Sequence, residues 1–319
     1  MALGEDRGPR FSPWEAQALR EHCQRFSRLG WALLAQGLSA LVIQVAAVLA
    51  ARWAAPQLLS DPVFLWTLST LSVYGAGFPL FFLIAGKIPP PPEPESKHPL
   101  GPARFFQVYL ISLALLYLSN LVTLFLLELV GMVWGEPVSN PVESIQEYPV
   151  VFNLVLGCLV APVIEEVMFR KVLLDRLRPY GDKFAIAASA LCFGLFHGNF
   201  NQIPYAAALG LVFGYVALRT GCLWQTILLH AMVNFIATGL IPTLELWGDW
   251  GEEILGVLVL GAILLGVVFL IVRRRELRFA GGQYGLTPGR TWRLFFENPG
   301  VIAFCLFAVL EALSYMFSG

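Results

Sequence analysis

Apolar stretches long enough to cross a lipid bilayer dominate this chain. A hydrocarbon core of roughly 30 Å needs about 20 residues of helix. Runs of that order recur at 30–51, 63–86, 104–132, 148–178, 184–199, 202–219, 222–242 and 254–272, and a last apolar stretch covers 299–317. The architecture expected from them is an all-α, polytopic transmembrane helical bundle of about eight spans. The 184–199 run is short and needs a thinned or protein-lined setting. The 299–317 run, which carries Glu311, reads equally as a ninth span or an interfacial helix.

Composition agrees with a membrane location. Of 319 residues, 57% are hydrophobic and only 13% charged, against about 25% charged in soluble domains. No long polar stretch divides the apolar blocks, so one hydrophobic domain is expected. Its parts are a leader at 1–29, three spans at 30–147 with a Pro-rich linker at 88–102, a four-helix core at 148–242, and a last span with the C-terminal apolar segment at 243–319. The linker, Ile88-Pro89-Pro90-Pro91-Pro92-Glu93-Pro94, reads as a stiff spacer rather than a docking ligand. A net charge of −1 gives no basic field for nucleic acid. Cys23, Cys158, Cys192, Cys222 and Cys305 are scattered, form no CxxC pair and read as small core residues. No cleavable signal peptide is visible.

Lys and Arg orient the spans. Arg20, Arg25 and Arg28 precede the first. Lys87, Lys97 and Arg104 follow the second, Arg176, Arg178 and Lys183 the fourth, Arg219 the sixth, and Arg273, Arg274, Arg275 and Arg278 the eighth. The intervening loops carry Glu136, Glu143 and Glu147, then Asp249, Glu252 and Glu253. A multi-pass cell-membrane protein with a cytoplasmic N-terminus is expected.

Inside the apolar runs sit a few ionisable residues, and a charge at the bilayer centre costs about 2.5–3.5 kcal/mol on insertion scales. Glu166 and Arg170 are four apart and share a helix face. Glu165 is turned about 100° from its neighbour, free to face the bundle interior. Phe193 and His197, then His230 and Asn234, repeat the four-residue spacing. The plainer readings are an interfacial ion pair for the charges and hydrogen-bonded core residues for the histidines. Depth favours convergence: at 1.5 Å per residue, Glu165 and His197 lie about 20 and 21 Å from the turn at 179–183, and His230 about 13 Å from Gly221. The cavity so formed is expected to be wetted most easily from the cytoplasm.

Such a set suits hydrolysis. A carboxylate in a low-dielectric setting makes a usable general base, one histidine can orient the same water, and a second histidine with an amide can donate to a developing oxyanion. GxSxG is absent, and no cysteine falls inside these motifs. Zinc is the chemical rival on ligand count, but HExxH is missing, and the reading is one without cofactor.

The order EExxxR (Glu165, Glu166, Arg170), FxxxH (Phe193, His197) and HxxxN (His230, Asn234) resembles the CPBP family over about residues 148–242. These are the CAAX-processing and bacteriocin-protection intramembrane endopeptidases, relatives of the Ras-converting enzyme. The resemblance implies an eight-span fold around a chamber open to the cytoplasm. It also implies a glutamate-dependent protease acting on a peptide or membrane-protein tail. Glu165 with His197 would activate water, His230 and Asn234 would form the oxyanion hole, and Glu166 and Arg170 would support the site. The family includes members with immunity or scaffolding roles, so a non-proteolytic binder is the alternative. A proton-coupled transporter is a third reading, disfavoured because paired helix interruptions are not seen in the sequence.

Overall fold

The computed structural model describes residues 13–92, 96–140 and 148–316, and these are helical throughout their ordered elements. The first twelve residues, part of the Pro-rich linker, and Glu143 and Glu147 lie outside the described residues. The main helices are α1 Pro13–Ala54, α2 Pro62–Ala85, α3 Pro102–Trp134, α4 Val150–Tyr180, α5 Asp182–Phe196, α6 Ile203–Thr220, α7 Leu223–Glu245, α8 Asp249–Glu276, α9 Pro288–Phe296 and α10 Pro299–Met316. In hydrocarbon every backbone N–H and C=O needs a partner within the chain, which is why the apolar runs become helices.

Eight of these are long and apolar enough to cross a membrane, though not the eight expected. The 184–199 run becomes α5, only 15 residues long, about 22 Å against the 30 Å required. It stops because the chain turns at His197 and Gly198. Its place among the spans is taken by α10, which holds residues 299–316 in a continuous helix packed along α1. The α1–α10 packing is close: Gly37 abuts Phe307, and Gly30 leaves room for the backbone at Gly300. Helix α1 also starts at Pro13 rather than near 30, since no helix breaker interrupts the polar leader.

Proline explains the irregularity of three spans. Pro79, Pro162 and Pro242 each lack an N–H and crowd the carbonyl four residues back. The stretch just before each winds as a π-helix, at Leu71–Gly77, Leu156–Val160 and Ile236–Leu240. The wider turn accommodates the ring and re-pairs the freed groups. A fourth π-helical stretch, Val167–Leu174, has no proline and follows the paired glutamates.

Charge divides the bundle into two ends. Among the described residues, every Lys and Arg other than Arg52, Arg170 and Lys171 lies toward one end: the start of α1, helix α9, and the ends and connections α2–α3, α4–α5, α6–α7 and α8–α9. The opposite end carries Glu136, Glu245, Asp249, Glu252 and Glu253, with exposed Trp53, Trp247 and Trp250 near the helix termini, as at a membrane–water interface. The basic half is solid. Phe26, Tyr180, Phe184 and Phe295 pack in tilted and edge-on pairs with ring centroids 4.6–6.0 Å apart, among buried Leu29, Phe81, Leu174 and Leu177. Arg176 ties α4 to the end of α2 through the carbonyls of Ala85 and Ile88 at 3.1 and 3.0 Å.

Helices α5 and α6 form a hairpin whose crossing has room only for small residues. A Cβ added at Gly210 would stand 2.8 Å from Ala190 Cα, and one at Gly194 2.7 Å from the Ile203 carbonyl oxygen. Gly210→Val is therefore expected to push the hairpin apart at a cost of about 1–3 kcal/mol. A lower melting temperature of the detergent-solubilised protein, with Gly256→Val in open space as the control, checks this.

Candidate active site

The two adjacent glutamates of α4 are buried in different ways. Glu166 Oε2 lies 3.1 Å from Arg170 Nε, with both side chains wholly buried. The contact is one of opposite charge rather than an aligned hydrogen bond, and the guanidinium rests on the rings of Phe193 and Phe213, 4.6 and 5.8 Å from their centroids. Glu166 Oε1 accepts from His230 Nδ1 at 3.1 Å. Arginine and histidine thus take one oxygen each of this carboxylate, and the two aromatic rings face the guanidinium.

Glu165 faces the other way, onto the wall of a cavity of about 450 Å³. Its Oε1 accepts a 2.6 Å hydrogen bond from the Tyr74 hydroxyl of α2. Its Oε2 lies 3.9 Å from His230 Nε2. His197, at the C-terminal end of α5, donates from Nδ1 to the Phe193 carbonyl at 2.9 Å. That bond leaves Nε2 of a neutral ring as an acceptor. Asn234, one turn beyond His230 on α7, donates to the Gly157 carbonyl at 2.7 Å, and its amide has a second N–H. That carbonyl belongs to the π-helical turn of α4.

All of the residues singled out in the sequence therefore meet, and they divide into two groups. Glu165, His197, His230, Asn234 and Phe193 line the cavity; Glu166 and Arg170 stand behind it. Phe193 sits between the histidine rings, 5.1 Å from His197 and 5.7 Å from His230. No three His, Cys, Asp or Glu side chains among the described residues are arranged to hold a metal ion.

Two wall residues were not placed at the site by the sequence: Tyr74, and Glu311, noted there only as a carboxylate in the last apolar run. Tyr74 is one aromatic in an apolar run, at no telling distance from another polar residue. Glu311 of α10 also lines the cavity and reaches Gly198, beside His197: a Cβ there would stand 2.7 Å from Glu311 Cδ. Gly198 has φ +62°, so both backbone conformation and space require glycine.

The cavity lies in the acidic half of the bundle. Its walls come from Gln36–Gln44 of α1, Trp66–Tyr74 of α2, Tyr148–Glu165 at and in α4, Phe193–His197 at the end of α5, Gln202–Leu209 at and in α6, His230–Thr238 of α7 and Phe304–Tyr315 of α10. Exposed Leu41, Ser69, Ala237 and Tyr315 are among them, so the chamber reaches the surface there. Wetting from the basic end, expected from the sequence, is blocked by the aromatic core. Counting residues from the turns located the polar groups at mid-depth but said nothing of which half was filled with side chains.

Residues 147–236 match the family model described as "Type II CAAX prenyl endopeptidase Rce1-like". Over this segment, less than a third of its length, the chain is similar to the CAAX membrane-protease family. A relative in Bacillus subtilis (strain 168) bears the name "Putative membrane peptidase YdiL" and is 29% identical over 93 residues, 29% of this chain and 37% of the relative. The chain thus spans little more than a third of that relative's length. No solved structure matches.

The two glutamates should respond differently to substitution. Arg170→Met leaves Glu166 buried without its cation and is expected to cost about 3–5 kcal/mol. Glu165→Gln keeps the acceptor for Tyr74 and should cost below about 1 kcal/mol. Thermal melts of both variants in detergent check the contrast.

Proposed function

We propose that this chain is an intramembrane endopeptidase in which Glu165 activates the attacking water. The observation that carries the reading is the division of labour between neighbouring carboxylates. Glu166 is consumed by Arg170 and His230, whereas Glu165 is held on a cavity wall with one oxygen bound to Tyr74 and the other turned toward His230. The family match to a CAAX endopeptidase model supports the same reaction class.

In this reading a water bound at Glu165 Oε2 loses its proton to the carboxylate as its oxygen adds to a peptide carbonyl carbon. His197 Nε2, left as an acceptor by the bond at Nδ1, orients that water. The carbonyl oxygen becomes an oxyanion, which accepts from the spare Asn234 N–H and, when the ring carries a proton there, from His230 Nε2. Collapse of the tetrahedral intermediate breaks the C–N bond, and the proton held by Glu165 passes to the departing amine. No step calls for a metal. Tyr74 acts as a positioning residue: its hydroxyl selects which carboxylate oxygen faces the water.

New peptide termini in membranes containing wild type, Glu165→Gln or Tyr74→Phe, expressed equally, test this. Termini found with wild type should vanish with Glu165→Gln and should persist when a strong zinc chelator is added. Tyr74→Phe is expected to lower kcat by about 10²-fold with KM little changed, as befits a group acting through the base. Identical termini in wild type and Glu165→Gln would refute proteolysis at this site and leave a binding role.

A further inference from the structure

The position of the chamber along the membrane normal says which side delivers the substrate. Two independent features bear on it. The first is the distribution of cations. Among the described residues, Lys and Arg cluster at one end of the bundle, and the opposite end has Arg52 alone against several carboxylates. Basic connections stay on the cytoplasmic side during insertion, while acidic ones contribute little to orientation. The basic end is therefore cytoplasmic.

The second feature is packing. At the basic end the bundle is plugged by the Phe26, Tyr180, Phe184 and Phe295 cluster. The 277–287 connection closes over it, with Ala280 N donating to Asp182 at 2.8 Å, Gln283 N to the Pro179 carbonyl at 2.8 Å, and Arg25 to the Tyr284 hydroxyl at 2.8 Å. At the acidic end α2 and α4 are joined less extensively. Trp66 meets Phe152 with ring centroids 4.9 Å apart, and Tyr74 meets Glu165 below, while exposed Ser69 on the same stretch lines the chamber.

We infer that the chamber of Glu165 opens to the non-cytoplasmic face of the membrane. Its substrate is then a peptide segment of an exported or membrane-anchored protein, presented from the outer side. A tail displayed on the cytoplasmic surface, lipidated or not, would have to pass the aromatic plug to reach Glu165. The substrate class rests on the proteolytic reading above; the orientation and the opening do not, so their test needs no activity.

The test uses single added cysteines in the full chain, expressed in a bacterial inner membrane, with label from a membrane-impermeant maleimide read as the gain over the parent protein. Ser96→Cys reports the basic end and Leu246→Cys the acidic end, both at exposed positions. Ser69→Cys, a near-isosteric change, reports the chamber. The expected result is label at Leu246→Cys and Ser69→Cys in intact spheroplasts, and at Ser96→Cys only in inverted vesicles. Label at Ser96→Cys but not Leu246→Cys in spheroplasts would overturn the orientation. With the orientation upheld, loss of Ser69→Cys label from the outer side would overturn the opening. The two loop variants remain informative even if Ser69→Cys disturbs the wall. For the substrate class, Glu165-dependent termini should map to segments exposed outside the cytoplasm. Termini confined to cytoplasmic tails, with the labelling pattern as expected, would refute the substrate class while leaving proteolysis standing.

Discussion

The wholly buried pair Glu166–Arg170 is the contact on which the rest of the site depends. An ion pair in so dry a setting is costly unless its surroundings meet it; here His230 bonds Glu166 Oε1, and the guanidinium, without an aligned hydrogen bond of its own, lies on two aromatic faces. Those partners come from α5, α6 and α7, so a pair within one helix sets the positions of three others around it. The pair also decides the fate of its neighbour. Because Glu166 must face the packed side of α4, helical geometry turns Glu165 about 100° away, onto the wall of the chamber. A core demand of stability therefore sets the direction of Glu165.

Proline contributes the second constraint. The π-helical turns before Pro79, Pro162 and Pro242 lie in the very helices that wall the cavity. A regular helix repeats its side-chain directions every 3.6 residues, and a wide turn resets that phase. In α2 the turn includes Tyr74, which meets Glu165 across the gap. In α4 the turn includes Gly157, whose carbonyl receives Asn234. Chain irregularity in this bundle thus sits where polar groups are brought together.

What could be read in the sequence was whatever lies close along the chain. The i,i+4 spacings of Glu166–Arg170, Phe193–His197 and His230–Asn234 each describe one face of one helix, and the side chains occupy those faces as expected. Helical content and the number of long apolar helices were legible for the same reason. Long-range pairing was not. Nothing near Tyr74 in the sequence distinguishes it from other aromatics in apolar runs, because its partner lies in another helix. The exchange of 184–199 for 299–316 among the long helices turned on how far α5 runs before Gly198 breaks it, and on the close fit of α10 to α1 at Gly30 and Gly300. Both are properties of packing. The filled basic half and the hollow acidic half escaped for the same reason.

The walls of the chamber come from two stretches of the chain with different histories open to them. The segment matching the family model, 147–236, brings the glutamates, both histidines and the asparagine, but α1, α2 and α10 lie outside it and supply Gln36, Gln44, Trp66, Tyr74, Phe307 and Glu311. The polar set and much of its enclosure thus come from separate parts of the chain. Substitutions in the outer helices can reshape the bore and its polarity while leaving the constellation of 147–236 in place. A chain similar over that segment alone shares the polar set without sharing the vessel around it.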